Sequence, residues 1–170
     1  MLFTVLNSRS VRNKTVALKG FSIESDIDIL ALTKTWLSNE SDDELIVLDI
    51  CSTGYEFYNV ARGFRGGGVG LLYKKRIRFQ KQSCIKAKFS LFEFTDLLLK
   101  QGSSSLRVVV VYHPPKADLL FFEEFPTLSE AFVTAIGFLL MVEDFNFHVQ
   151  DSNNRTVLQL LQPLKTFSLV

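Results

Sequence analysis

The sequence is short of cysteine, of net charge and of long apolar runs, and each shortage removes a class of protein. It holds only 2 Cys in 170 residues, Cys51 and Cys84, with no spacing that suggests a disulfide framework or a metal-ligand set. Two reduced thiols in an intracellular protein is the reading that fits. The longest apolar stretch, Ala131 to Val142, falls short of the about 20 residues that a membrane span needs. Met1 to Leu6 is apolar but lacks a basic leader and runs straight into Asn7-Ser8-Arg9, so no secretory signal is expected. A soluble chain with no membrane association follows, nuclear or cytoplasmic and not secreted. The glycine-dense segment is not followed by Gly-Lys-Ser/Thr, which excludes a Walker loop, and no small-molecule cofactor is expected.

What is present describes one globular domain over residues 1–170. Apolar residues make up 47% and charged residues 22%, proportions that support a buried core and exclude wholesale disorder. The 16 Phe suggest that aromatic-rich strands build that core. The net charge of +1 conceals segregation. Ala61 to Lys88 carries Arg62, Arg65, Lys74, Lys75, Arg76, Arg78, Lys81, Lys86 and Lys88 and no acid, whereas Ser22 to Asp49 carries eight acids and one base, Lys34. A polyanion-binding face beside an acidic region would need that distribution, and two solvated surfaces would also produce it.

Along the chain, Leu2 to Leu6 reads as a buried strand, and Val11 to Glu24 has apolar residues near helical spacing despite Gly20. Ile27 to Leu32, Tyr55 to Val60, Val69 to Tyr73, Ile77 to Phe79, Cys84 to Phe89 and Phe92 to Leu99 are strand candidates between polar breaks. Leu106 to Tyr112, with four consecutive valines, is the strongest strand signal, and Pro114-Pro115 ends it. A helix over Leu119 to Ala135 is interrupted at Pro126. A strand at Phe138 to Val142 and a helical stretch at Thr156 to Leu161 complete the pattern. Many short strands with helices before, between and after them predict an α/β (α+β) sandwich, two packed mixed sheets flanked by helices. In that arrangement Asn7, Lys34, Tyr112 and Asp144 each fall at the C-terminal end of a predicted strand, where such folds assemble sites.

Five segments carry a resemblance. They are Asn7-Ser8-Arg9-Ser10-Val11-Arg12-Asn13-Lys14, Ala31-Leu32-Thr33-Lys34-Thr35-Trp36-Leu37, Arg65-Gly66-Gly67-Gly68-Val69-Gly70-Leu71-Leu72-Tyr73, Tyr112-His113-Pro114-Pro115, and Glu143-Asp144-Phe145-Asn146-Phe147-His148. In this order they resemble the apurinic-type endonuclease domain of non-LTR, LINE-like retrotransposons, within the endonuclease/exonuclease/phosphatase superfamily. The resemblance implies Mg²⁺-dependent hydrolysis of DNA phosphodiesters, with oxygen ligands suited to a hard cation. It implies that Asp144 orients or activates water, that Asn146 and Tyr112 bind the phosphate, and that Asn7 orders the metal shell. Taken singly, Asp144-Phe145-Asn146 could be a turn, Tyr112 a packed aromatic and Asn7 a helix cap. His148 reads as structural or surface. Glycines at Gly63 to Gly70 permit close backbone approach to a ligand, or simply a hairpin turn. Arg62, Arg65, Lys74 and Lys75 could track a DNA backbone.

Two departures bear on chemistry. Lys34 stands where the resembled family places a metal-binding glutamate, and a protonated ammonium has no lone pair to give. At an effective dielectric near 20, a misplaced charge ~4 Å away is worth several kcal/mol. The family's further strands and Ser-Asp-His motif do not occur before Val170. The expectation is therefore a domain incomplete at its C-terminus and catalytically impaired. The alternatives are a non-catalytic nucleic-acid-binding remnant and a retroelement fragment without function.

Overall fold

The computed structural model describes residues 1–38, 41–51, 54–62, 66–82, 89, 91–114, 120–133, 137–144 and 158. Its elements run β1 (Phe3–Asn7), α1 (Thr15–Glu24), β2 (Ile29–Thr33), α2 (Ser41–Cys51), β3 (Tyr55–Val60), β4 (Val69–Lys74), β5 (Phe79–Lys81), β6 (Glu93–Gln101), β7 (Ser104–Tyr112), α3 (Phe121–Val133) and β8 (Phe138–Asp144). Two mixed sheets result, one ordered β1-β2-β4-β3 and the other β5-β6-β7-β8. They form an α+β sandwich with α1 and α2 on one outer face and α3 on the other.

The alternation of the apolar strands builds this layering. In β2, Ile29 and Ala31 face the second sheet, whereas Leu30 and Leu32 join the cluster under α1 and α2. In β7, Val108, Val110 and Tyr112 point between the sheets, and Val109 and Val111 point to α3. A strand buried on both faces must be apolar without interruption, which is what the valine run provides. Helix α3 lays Phe121, Phe125, Leu128 and Phe132 on that outer face. Their burial carries the helix through Pro126, although an interior proline costs about 3 kcal/mol.

Three differences from the sequence reading have physical reasons. Helix α1 begins at Thr15 rather than Val11, because the Val11 amide donates to the Thr35 carbonyl (3.0 Å) and its side chain enters the core. Helix α2 has no counterpart in the sequence reading; its acidic start and its exposed Leu45 and Leu48 blur the apolar stripe. Strand β5 is displaced to Phe79–Lys81, where it pairs with Leu97 to Leu99. The expected strand over Cys84 to Phe89 lies outside the described residues except for Phe89, and the helix over Thr156 to Leu161 except for Leu158. Among the described residues, no helix is long and apolar enough to cross a membrane.

Candidate functional site

Strand register brings the candidate residues to one end of the sandwich. In the first sheet Asn7 pairs with Thr33, and Thr33 with Val69. In the second sheet Glu93 pairs with Tyr112, and Tyr112 with Asp144. The two rows face one another across the inter-sheet space, and Asp144 joins them. Its Oδ2 accepts hydrogen bonds from Asn7 Nδ2 (3.1 Å) and Thr33 Oγ1 (3.0 Å). Lys34 Nζ lies 3.5 Å from the same oxygen and 5.4 Å from the centre of the Tyr112 ring.

Three loops hold this arrangement. After β1, the Ser8 hydroxyl donates to the carbonyls of Thr33 (2.8 Å) and Lys34 (3.0 Å), and the Ser10 amide donates to the Lys34 carbonyl (2.8 Å). After β2, the amides of Thr35 and Trp36 donate to the carbonyls of Gly68 and Gly67. The price of this interlocking is a left-handed backbone at Arg9, Ser10, Lys34 and Trp36, with φ of 46°, 85°, 56° and 59°, each costing of order 1 kcal/mol or more. Among the described residues, four of the five left-handed non-glycine positions lie at this edge, Asp26 being the other.

The glycines have a definite use here. Gly67 (φ 91°) passes so close to the site that a Cβ would fall 2.6 Å from Arg62 Cδ, 2.9 Å from Glu93 Oε2 and 3.1 Å from Tyr112 Cε1. At Gly68 (φ 81°) a Cβ would meet Thr35 Oγ1 at 2.5 Å. In this structure the loop approaches the protein's own site residues. Behind it, Arg62 Nε pairs with Glu93 Oε1 (2.9 Å), and the Gly68 amide donates to Glu93 Oε2 (3.3 Å). Burial pushes the Glu93 carboxyl above its ordinary range, opposed by Arg62 and the Gly68 N–H.

The structure thus brings together Asn7, Lys34, Tyr112, Asp144 and Arg62. Asn146, His148 and Arg65 lie outside the described residues. Lys74 and Lys75 sit at the other end of β4, five residues from Val69 and roughly 17 Å away at strand rise. There Lys74 pairs with Asp26 (2.6 Å) and Asp28 (3.0 Å). Thr33 and Glu93 belong to the site and were missed. Thr33 sits inside a quoted motif but reads as strand, and Glu93 lies outside all five segments, so only register discloses it.

Among the described residues, the donor set does not fit a divalent cation. Asp144 already receives two hydrogen bonds and an ammonium, and Glu93 is held by Arg62. Asp144 and Glu93 are each matched by a cation, so a metal ion at Asp144 would have to displace Lys34. Among the described residues, no group of three or more His, Cys, Asp or Glu side chains could hold a metal.

No family model matches the sequence, and no curated protein matches it. Solved structures do. An AP endonuclease from Archaeoglobus fulgidus superposes with a TM-score of 0.64 at 16% identity, over 99% of this chain and 70% of that one. The chain has the endonuclease/exonuclease/phosphatase fold. The endonuclease domain of TRAS1, a telomere-specific non-LTR retrotransposon, gives a TM-score of 0.68 at 11% identity, over 96% of this chain and 68% of that one. The 3′ phosphatase NExo from Neisseria, bound to product DNA hairpin, gives 0.63 at 14%, over 96% and 69%. This endonuclease/exonuclease/phosphatase fold places strand ends of both sheets at a common edge, the edge that carries Asp144 here.

Proposed function

We propose that the protein is a retrotransposon-type endonuclease-fold domain that engages the DNA backbone while its capacity for Mg²⁺-dependent phosphodiester hydrolysis is impaired. The observation that carries this reading is the Lys34 ammonium 3.5 Å from Asp144. A carboxylate held by an ammonium is a weakened metal ligand, because coordination needs the lone pairs that the pair occupies. The same ammonium favours phosphate oxygens, as do Arg62 and the donor side chains of Asn7 and Thr33. DNA as the partner is supported by the likeness to a retrotransposon endonuclease domain and to a phosphatase bound to a DNA hairpin. An intracellular location, nuclear or cytoplasmic, belongs to the same proposal.

The test is nicking of supercoiled plasmid with Mg²⁺ by the wild type, Lys34→Glu and Asp144→Ala. The wild type is expected to nick no faster than Asp144→Ala. Lys34→Glu, which replaces the ammonium with an oxygen donor, should raise Mg²⁺-dependent nicking above both by at least about 10-fold, since about 1.4 kcal/mol suffices for that change. Efficient wild-type nicking that Asp144→Ala abolishes would overturn the impairment. Absence of duplex binding by the folded wild type at low salt would overturn the DNA assignment.

A further inference from the structure

The end of the sandwich opposite Asp144 carries a second concentration of cations that the candidate site does not use. A cavity of about 400 Å³ opens there, lined by Asp28, Arg76, Ile77, Arg78, Leu99 and Lys100. It lies at the seam of the two sheets: Asp28 precedes β2, Arg76 to Arg78 connect β4 to β5, and Leu99 and Lys100 end β6. Lys75 is exposed beside it in sequence. The acids nearby are already engaged. Asp28 accepts hydrogen bonds from the Leu2 amide (2.7 Å) and Arg76 (2.5 Å) and pairs with Lys74 (3.0 Å), which also holds Asp26. Glu56 lies 3.8 Å from Arg78. In the cavity lining itself Arg76, Arg78 and Lys100 outnumber the acid Asp28, so positive charge is in excess.

Shape and exposure narrow the ligand. The guanidinium side chains of Arg76 and Arg78 are 70% and 81% exposed, so they reach outward from an apolar floor of Ile77 and Leu99. Planar guanidinium forks at an open mouth suit diester oxygens on an extended chain better than a small anion enclosed on all sides. Charge supplied by several separate elements also matches the repeating phosphates of a backbone. We infer that this cavity and its rim form a nucleic-acid backbone site, separate from the Asp144 edge, that holds a second segment of DNA. The two sites lie at opposite ends of β4, roughly 17 Å apart. The assignment does not depend on how the Asp144 edge is read.

The measurement is fluorescence anisotropy of a labelled duplex titrated with the full chain between about 50 and 200 mM salt. The double variant Arg78→Gln with Lys100→Gln leaves every Asp28 contact in place, and an unchanged urea midpoint verifies its fold. A triple variant adds Arg76→Gln. Each cation contributes about 0.9 to the slope of log K against log salt. The slope should therefore shrink by about 2 in the double variant and about 3 in the triple, with affinity at the lowest salt down at least about 10-fold. Wild-type slopes in both variants would overturn the site. If Arg62→Gln weakens binding in that case, DNA engagement at the Asp144 edge stands alone. Loss in the pole variants with none in Arg62→Gln would uphold this site and sink the other. Saturable binding of inorganic phosphate that the double variant loses, with duplex affinity unchanged, would mean a small-anion pocket and would also overturn the nucleic-acid assignment.

Discussion

Gly67 shows how tightly single residues are fixed at the candidate site. Its φ of 91° and the three side-chain atoms that a Cβ would strike leave no room for substitution. Gly67→Ala should destabilise the fold by about 1–3 kcal/mol, from the left-handed backbone and overpacking together. It should also push Arg62 off Glu93. Urea unfolding measures the first effect, and loss of duplex affinity beyond that of Arg62→Gln would measure the second; a midpoint equal to wild type would refute the packing argument. Lys34 is the complementary case. Its side chain is well shielded, at 18% exposure, and its backbone is strained, so the residue is constrained by its surroundings as well as by charge.

At the scale of elements, β6 and β7 form the longest ladder, from Glu93↔Tyr112 to Gln101↔Ser104. A buried ion pair crosses it. Arg107 donates to both Asp96 oxygens, at 2.7 and 2.6 Å, with side-chain exposures of 7% and 5%, and its guanidinium lies 4.8 Å from the Phe132 ring centre. Asp96→Ala would strand a buried guanidinium between the sheet and α3, and a loss of about 3–5 kcal/mol is expected in equilibrium unfolding. A loss below about 1 kcal/mol would show that the guanidinium escapes to water. The strands themselves were readable because continuous β-branched and aromatic runs have few other uses, as in Val108 to Val111. Helix α2 was not, since its apolar residues Leu45 to Leu48 run consecutively and half of them face solvent. The strand-end positions of Asn7, Lys34, Tyr112 and Asp144 were legible from the order of runs and breaks. The Lys34–Asp144 pair and the parts played by Thr33 and Glu93 were not, because contacts between sheets depend on register and on the angle at which the sheets meet, which local pattern does not encode.

For the molecule as a whole, stability should depend on pH through a residue next to the site. Glu143 alternates with Asp144 and points to the outer face, beside Val111 in register and on the same side as Leu139 and Met141. Burial pushes its carboxyl from 4.5 to about 8. The folded chain therefore keeps this proton where the unfolded chain has lost it. The sign is that stability from this group is complete below about 4.5, declines as pH rises, and levels off above about 8. Partial exposure of Glu143 lets water moderate the effect, so a fall of about 1–3 kcal/mol between those limits is expected. Urea midpoints across that range should fall in the wild type and stay level in Glu143→Gln; parallel profiles would exclude Glu143 as the source. The two sheets also divide the chain in sequence, since β1 to β4 span Phe3–Lys74 and β5 to β8 span Phe79–Asp144. Asn7 and Asp144, which touch at 3.1 Å, are separated by 137 positions. A ribosome therefore releases every strand of the first sheet before any of the second, and the Asp144 edge closes only when the last described strand arrives. Until then the growing chain carries half a site, in which Lys34 has not yet met Asp144.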